Sequence, residues 1–289
     1  LIAGAAAYGL WGLLPLFFRL LHHVDPTEIV TQRILWSLVL ILFVLMARRD
    51  LPAFAAAMRD RKLVVPLAAS ALLIGINWLT YVWAVNQGHV VAASLGYFLN
   101  PLIVVLLGMV VLKERLRPMQ MLAIGVAAAG VAILAAAALT TLWISLSLAL
   151  SFSFYGLVRK LTPVAPMTGL GVETALLTPL AIAYLLWEMS HGGVGFGKDA
   201  PTTTLLILSG AVTTVPLVLF AVAARRLPLA TLGLLQYMAP TLQFLCGVLL
   251  FGERLGLGQM LSFGLIWVGL ILFASDGIAT ARRNRVAAA

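Results

Sequence analysis

Ten apolar runs, separated by short polar breaks, limit what this chain can become. They cover roughly 2–21, 27–46, 63–84, 91–112, 118–138, 142–158, 167–187, 202–223, 229–251 and 258–275. A bilayer core about 30 Å thick is crossed by about 20 helical residues. No water is available there, so backbone groups must bond within their own segment, and runs of this length are expected to be helices. The chain is 62% hydrophobic and 10% charged, with mean hydropathy +1.07. A water-soluble domain of this size cannot hide that much apolar surface. The expected fold class is an all-α integral membrane protein with ten transmembrane helices. The least sharp boundary is the fifth-to-sixth break at Thr140 and Thr141.

The net charge of +9 does not point to nucleic acid, because its distribution follows the spans. With the N-terminus in the cytoplasm, fifteen basic residues fall inside: Arg48, Arg49, Arg59, Arg61, Lys62, Lys113, Arg115, Arg117, Arg159, Lys160, Arg225, Arg226, Arg282, Arg283 and Arg285. Arg19, Lys198 and Arg254 fall outside, and Arg33 lies within a span. This asymmetry is the positive-inside pattern, and it is expected to leave both termini of a multi-pass membrane protein in the cytoplasm. Leu1 is not a methionine, so residues are expected before it. The single cysteine, Cys246, excludes an internal disulfide and a thiolate metal cage.

The chain also repeats itself. At an offset of 139, eleven identities without a gap pair residues 101–131 with the second half. Pro101 falls on Pro240, Gly108 on Gly247, Glu114-Arg115-Leu116 on Glu253-Arg254-Leu255, Gln120-Met121-Leu122 on Gln259-Met260-Leu261, and Gly130 on Gly269. An offset of 140 pairs Arg19 with Arg159. Residues 1–140 and 141–276 therefore read as two five-span repeats, followed by a basic cytoplasmic tail at 277–289. Five is odd, so the second copy enters the membrane from the other side. "KERLR" would be cytoplasmic, and "GERLG" its counterpart outside, where extra basic residues are disfavoured. The shared Glu-Arg reads as a structural turn. Inverted repeats are characteristic of secondary transporters, whose halves rock about a central site.

The stretch "ASLGYFLNPLIVVLLG…LKERLRPMQMLAIGVAAAGV", with its echo in the second half, resembles the EamA-type branch of the drug/metabolite transporter superfamily. "GLLPLFFRLL…VDPTEIVTQRILWSLVL" narrows the similarity to its RarD-like members. The resemblance implies ten helices in two inverted five-helix repeats, a central cavity, and export or exchange of small metabolites or drugs. It also implies that spans one and six line the cavity, which brings in Trp11 and Tyr155. In the second half "LLQYMAP" replaces "LGYFLNP", so Asn100 has no amide counterpart at Ala239.

Interrupted spans at corresponding places in two halves point to a transporter site. Span four has Gly96, Asn100 and Pro101; span nine has Gly233, Gln236 and Pro240. Proline frees a carbonyl about one turn earlier, near Tyr97 and Gln236. Pro101 and Pro240 are thus hinge candidates, with packing kinks as the alternative. Tyr97, Asn100, Gln236 and Tyr237 are candidate substrate contacts, since polar groups at that depth need partners. In span three, Asn77 and Tyr81 share a face at i, i+4, and Trp78 adds a second ring. Such an aromatic wall with an amide suits an aromatic or amphiphilic solute, although interfacial packing also gathers aromatics.

Two charges lie within spans, Arg33 and its counterpart Glu173. Each sits about eight residues into its helix from opposite faces, about 12 Å deep, so they are not expected to pair. Glu173 is a candidate for carrying a coupling proton, and Arg33 for holding an anionic substrate group. The alternative is that each bonds groups in its own half. Asp25-Pro26-Thr27-Glu28 reads as a helix cap, with Glu28 at the third position.

"GGVGFGKD" at 192–199 nearly spells a phosphate loop, but Asp199 stands where Ser or Thr is required, and no strand precedes it. It is read as a flexible loop, and no ATP hydrolysis or cofactor is expected. His22, His23, His89 and His191 fall near outer loops without metal-ligand spacing. Ser145, Ser147, Ser151 and Ser153 crowd span six without a partnered base, and read as helix packing. A membrane-embedded enzyme, or a channel or sensory scaffold, remains the alternative to a secondary transporter exporting small organic solutes by alternating access.

Overall fold

A computed structural model describes the backbone of residues 2–111, 118–137, 139–191, 193–224 and 235–287. The side chains of 101, 104, 105, 108, 109, 111, 135, 137, 221, 224 and 278–287 are not part of the description. The described residues form helices and no strands. In order these are α1 (Ile2–Gly12), α2 (Leu14–Arg19), α3 (Pro26–Ala47), α4 (Leu51–Arg59), α5 (Arg61–Asn86), α6 (Val90–Val111), α7 (Pro118–Ala137), α8 (Leu139–Leu161), α9 (Pro166–Ser190), α10 (Ala200–Ala224), α11 (Met238–Leu245) and α12 (Leu257–Ala287). Among them, seven segments are long and apolar enough to cross a membrane, α1 and α2 counting as one. Three shorter apolar stretches, Val90–Asn100, Pro118–Leu134 and Met238–Leu250, lie between them.

Local chemistry sets the helix starts. Asp25 accepts from the Thr27 amide at 2.7 Å, with Pro26 in the first turn of α3. Asp60 accepts from the Lys62 amide at 2.9 Å and Asp199 from the Thr202 amide at 2.8 Å, opening α5 and α10. Each fills one of the amides a helix start leaves open. The outward faces are apolar: Phe43 is 60% exposed, Leu180 67% and Leu249 71%. Surfaces of that kind require lipid.

The backbone adds to the expected spans at four places. Thr140 and Thr141 lie in the first turn of α8, which begins at Leu139, so the boundary sits earlier. The last helix, α12, continues past residue 276 to Ala287. The short α4, capped by Asp60 at its far end, fills the break between the second and third runs. The ninth span is irregular beyond its proline: α11 passes into a π-helical turn at Cys246–Leu250, where the Phe251 amide reaches back to Cys246 O at 2.9 Å. Residues 113–117, Arg225, Arg226, Gly192 and Gly233 lie outside the described residues.

The helices pair in a pattern. α1 packs on α10 and α11, and α8 packs on α5 and α6. α3 packs on α10 and α9, and α9 packs on α5. α6 packs on α11, and α7 on α12. In α7 and α12 the contacts are reciprocal. A Cβ at Gly130 would meet Ser262 O at 2.9 Å, and one at Gly269 would meet Ala123 O at 2.7 Å. Residue numbers rise along one helix as they fall along the other, so the two are antiparallel. α3 and α9 are antiparallel as well: Gly171, near the start of α9, lies against Ile41 and Leu45 near the end of α3.

Candidate functional site

α5 supplies the polar centre. Asn77, 1% exposed, donates from Nδ2 to Leu148 O and Ser151 Oγ, both at 3.0 Å. Its Oδ1 accepts from the Tyr97 hydroxyl at 3.0 Å. The amide is thereby satisfied on both sides and ties α5 to α6 and α8, as a buried amide must be. One turn on, the Tyr81 ring packs against Tyr97 at 5.6 Å and Phe18 at 6.1 Å. Tyr97 meets Phe152 at 6.1 Å, and Phe152 meets Tyr155 at 5.8 Å. Of the expected wall, Tyr81 thus joins an aromatic chain of Phe18, Tyr81, Tyr97, Phe152 and Tyr155 through α2, α5, α6 and α8, and Trp78 instead lies against the Arg33 guanidinium.

The two charges within spans are not partners of each other. Arg33 Nε donates to Thr213 Oγ1 at 2.5 Å, and the guanidinium stacks 4.4 Å from the Trp78 ring centre and 5.5 Å from Phe18. Glu173 accepts from Ser70 Oγ at 2.5 Å and from the Tyr155 hydroxyl at 3.3 Å. Arg159 Nε lies 3.6 Å from Glu173 Oε1. Each charge thus reaches a hydroxyl in the opposite half, Arg33 on α3 to α10 and Glu173 on α9 to α5. The alternative that each bonds groups in its own half fits Glu173 in part, through Tyr155 and Arg159, whereas the hydrogen bond of Arg33 goes to the other half. Sequence reading missed Ser70, Thr213 and Phe18 at this site. It treated Arg159 only as an orientation charge, although its pairing with Arg19 marked it.

The other candidates make contacts of their own. Trp11 packs with Tyr8 at 5.4 Å and Phe220 at 5.9 Å, and its carbonyl accepts from Gln243 Nε2 at 3.0 Å. Asn100 is 3% exposed, and its Oδ1 has no hydrogen-bond partner. Tyr237 interrupts the helix just before α11, and its carbonyl accepts from Thr241 Oγ1 at 2.7 Å. Gln236 is half-buried beside it and joins none of these polar contacts. Pro240 sits in the first turn of α11, where no intrahelical amide is needed, so it follows a break instead of bending a span. α6 runs unbroken through Gly96 and residue 101, and Pro101 as a hinge lies outside the described side chains. Gly96 serves close packing: a Cβ there would meet Ser145 O at 2.8 Å.

Two glutamates outside this cluster hold backbone amides. Glu28 does not close a capping box on its own helix. It is 2% exposed and accepts from the amides of Gly195 at 2.9 Å and Phe196 at 2.8 Å. The glycine-rich loop does cradle an oxyanion, but that oxyanion is Glu28, and the loop is tethered, not free. Glu253 accepts from the amides of Val90 and Val91 at the start of α6. Burial pushes its carboxyl above the usual glutamate value, against the two amides and the Arg19 charge, which pull it down.

Comparison with known proteins agrees with this architecture. Residues 1–136 match the EamA-like transporter family. An uncharacterized transporter of Pseudomonas aeruginosa is 46% identical over 292 residues, covering 98% of this chain and 95% of its own. Protein RarD of Escherichia coli is 42% identical over 280 residues, covering 96% and 95%. The chloramphenicol-sensitive protein RarD of Pseudomonas aeruginosa is 31% identical over 284 residues, covering 96% and 94%. A protein of known crystal structure superposes with TM-score 0.62 over 94% of this chain and 95% of its own at 19% identity, a likeness of fold.

Proposed function

The chain belongs to the EamA-like transporter family, among its RarD-like members, and from that premise we propose a specific cycle for this multi-pass membrane transporter. It is a secondary transporter that exports or exchanges small organic metabolites or drugs across the bacterial inner membrane, by alternating access and without ATP. Residues 1–140 and 141–276 are two inverted five-helix repeats, both termini are cytoplasmic, and the tail at 277–289 is a basic cytoplasmic extension of the last helix.

The observation that carries this reading is the reciprocal α7–α12 contact. At offset 139, Gly130 maps to Gly269 and Ala123 to Ser262, so the contacts Gly130–Ser262 and Gly269–Ala123 exchange under the repeat. Such exchange is the signature of a two-fold axis. The two helices are antiparallel, which supports an axis running across them, in the membrane plane. The remaining pairings support the same operation: α1 with α10 and α11 mirrors α8 with α5 and α6. Halves related in this way can exchange conformations about a shared site and open it first to one face and then to the other.

Substrate contacts are assigned to Trp11, Asn77, Trp78, Tyr81, Tyr97, Asn100, Tyr155, Gln236 and Tyr237, with Pro101 and Pro240 as the hinge positions. Glu173 is the coupling group, because a buried carboxylate held by two hydroxyls and one arginine can change partner when it takes a proton. The test is flux in proteoliposomes against a solute panel, with and without a pH gradient. Saturable flux is expected, with Glu173→Gln abolishing only its gradient dependence. A mutant that still responds to the gradient removes Glu173 from the cycle. Absence of flux for every solute, from protein shown to be folded, removes the transport assignment. Labelling single cysteines at 113–117 and 252–256 from each side of intact vesicles tests the inversion, which requires opposite faces.

A further inference from the structure

Arg33 is a buried cation for which no counter-charge is found among the described residues. It is 4% exposed. Its Nε is fixed by Thr213 Oγ1, whose own proton goes to Ser209 O at 2.9 Å. Its face rests on Trp78 and Phe18. Its Nη1 is buried with no hydrogen-bond partner. The buried carboxylates are committed elsewhere, Glu28 to the Gly195 and Phe196 amides and Glu173 to Ser70, Tyr155 and Arg159.

A second orphan belongs to the same cluster. Tyr81 is 2% exposed, and its hydroxyl is also without a partner. Its ring packs on Phe18, the ring that Arg33 covers. An arginine resting on an aromatic face gains some compensation for lost water, but its N–H groups still require an acceptor. A buried charge is ordinarily paired.

We propose that this cluster, built by α2, α3, α5 and α10, is the receptor for the carboxylate of a flat organic acid, with Arg33 Nη1 and the Tyr81 hydroxyl as its donors. The carboxylate supplies both the missing charge and the missing acceptor. Phe18, Trp78 and Tyr97 offer apolar faces for the planar body of the solute. The inference rests on the transport reading, because the occluded cluster must open to admit a solute, and it narrows that reading to an anionic substrate class.

The purified full chain is titrated in detergent with phenylacetate and indole-3-acetate, and with their neutral amides, following thermal stability and tryptophan fluorescence. The acids are expected to bind about tenfold more tightly than the amides, the scale of a charge-assisted hydrogen bond. Arg33→Gln is expected to bring that ratio to about one, and Arg33→Lys, which keeps charge without the fork, to an intermediate value. Equal binding of acid and amide by the unmutated protein overturns the proposal, whether or not the variants fold. So does an unchanged ratio in folded Arg33→Gln. Counterflow of phenylacetate in proteoliposomes separates the two readings. Acid preference in binding without flux supports the receptor and sinks the transport cycle. Saturable flux of the amide equal to that of the acid keeps the cycle and overturns the receptor.

Discussion

The Glu253 carboxylate closes the N-terminus of α6 by accepting from the Val90 amide at 2.6 Å, with the Val91 amide at 3.0 Å on its other oxygen. Helix starts leave amides open, and their partial positive charge favours a carboxylate. This one lies 163 residues away in sequence from the amide it holds. Gly252, at φ 67°, turns the chain so that Glu253 can reach, and Gly247 leaves room for Val91, whose Cγ2 would lie 2.8 Å from an added Cβ. The second copy of the Glu-Arg-Leu turn, at 253–255, therefore clasps the start of α6. Glu253→Ala is expected to cost about 1–3 kcal/mol, the scale of hydrogen bonds to a charged group, measured as a fall in thermal stability in detergent.

The same glutamate gives the stability a pH dependence. Its folded value is raised above the ordinary 4.5, chiefly by burial. A carboxyl that holds its proton more tightly when folded contributes stability that is complete below the unfolded value and lost as pH rises through the folded one. Thermal stability is expected to decline across that window, and Glu253→Gln, which cannot ionise, is expected to flatten the decline. A pH profile for Glu253→Gln that overlays the parent would assign the dependence to another group.

Seven long apolar helices and the separation of Arg33 from Glu173 were legible in the sequence, because lipid imposes run length and helix rise converts position into depth. The Asp25 cap was legible because it is local. The amide partners of Glu28 and Glu253 were not, since each contact joins residues more than 160 positions apart. The π turn at Cys246–Leu250 was hidden for a related reason: no local residue requires it, and it sits where Gly247 meets α6. Among candidate site residues, the α5 face assembled because i, i+4 spacing fixes it. Gln236 and Pro240 did not join it, because the helix restarts beside them at Met238.

The α7–α12 contact predicts equal consequences from two distant substitutions. Gly130→Ala and Gly269→Ala each drive a Cβ into a backbone carbonyl of the facing helix. Each is expected to cost about 1–3 kcal/mol as overpacking. Once one methyl has separated the helices, the second finds the space already opened, so the double variant should fall short of the sum. Unfolding of the two single variants and the double variant in detergent measures the shortfall. Full additivity would mean that the two glycines do not share one interface.

Gly169 makes room for Arg159. An added Cβ would overlap the guanidinium that donates to Pro166 O at 3.1 Å and lies beside Glu173. Gly169→Ala should displace that guanidinium and mimic Arg159→Gln, each lowering stability by roughly 1–3 kcal/mol. Combining them should add little, because both remove the same contact. Thermal unfolding of the single and double variants tests this, and an additive double variant would place the effect of Gly169 elsewhere.

Tyr81 separates a structural ring from a functional hydroxyl. Its ring is packed by Phe18 and Tyr97, while its buried hydroxyl has no partner. Deleting an unsatisfied buried group removes its desolvation cost and leaves the packing intact, so Tyr81→Phe is expected to raise stability by about 1 kcal/mol. Tyr81→Ala instead empties the space of an aromatic ring and should cost about 3–5 kcal/mol. If the hydroxyl is held in reserve for a solute, the more stable Tyr81→Phe protein must bind that solute more weakly, a trade of stability against function. Thermal unfolding and phenylacetate binding on the same preparation read both effects. A variant that gains stability and keeps its affinity would show that the hydroxyl touches no substrate, and one that loses stability would show that the hydroxyl already has a partner.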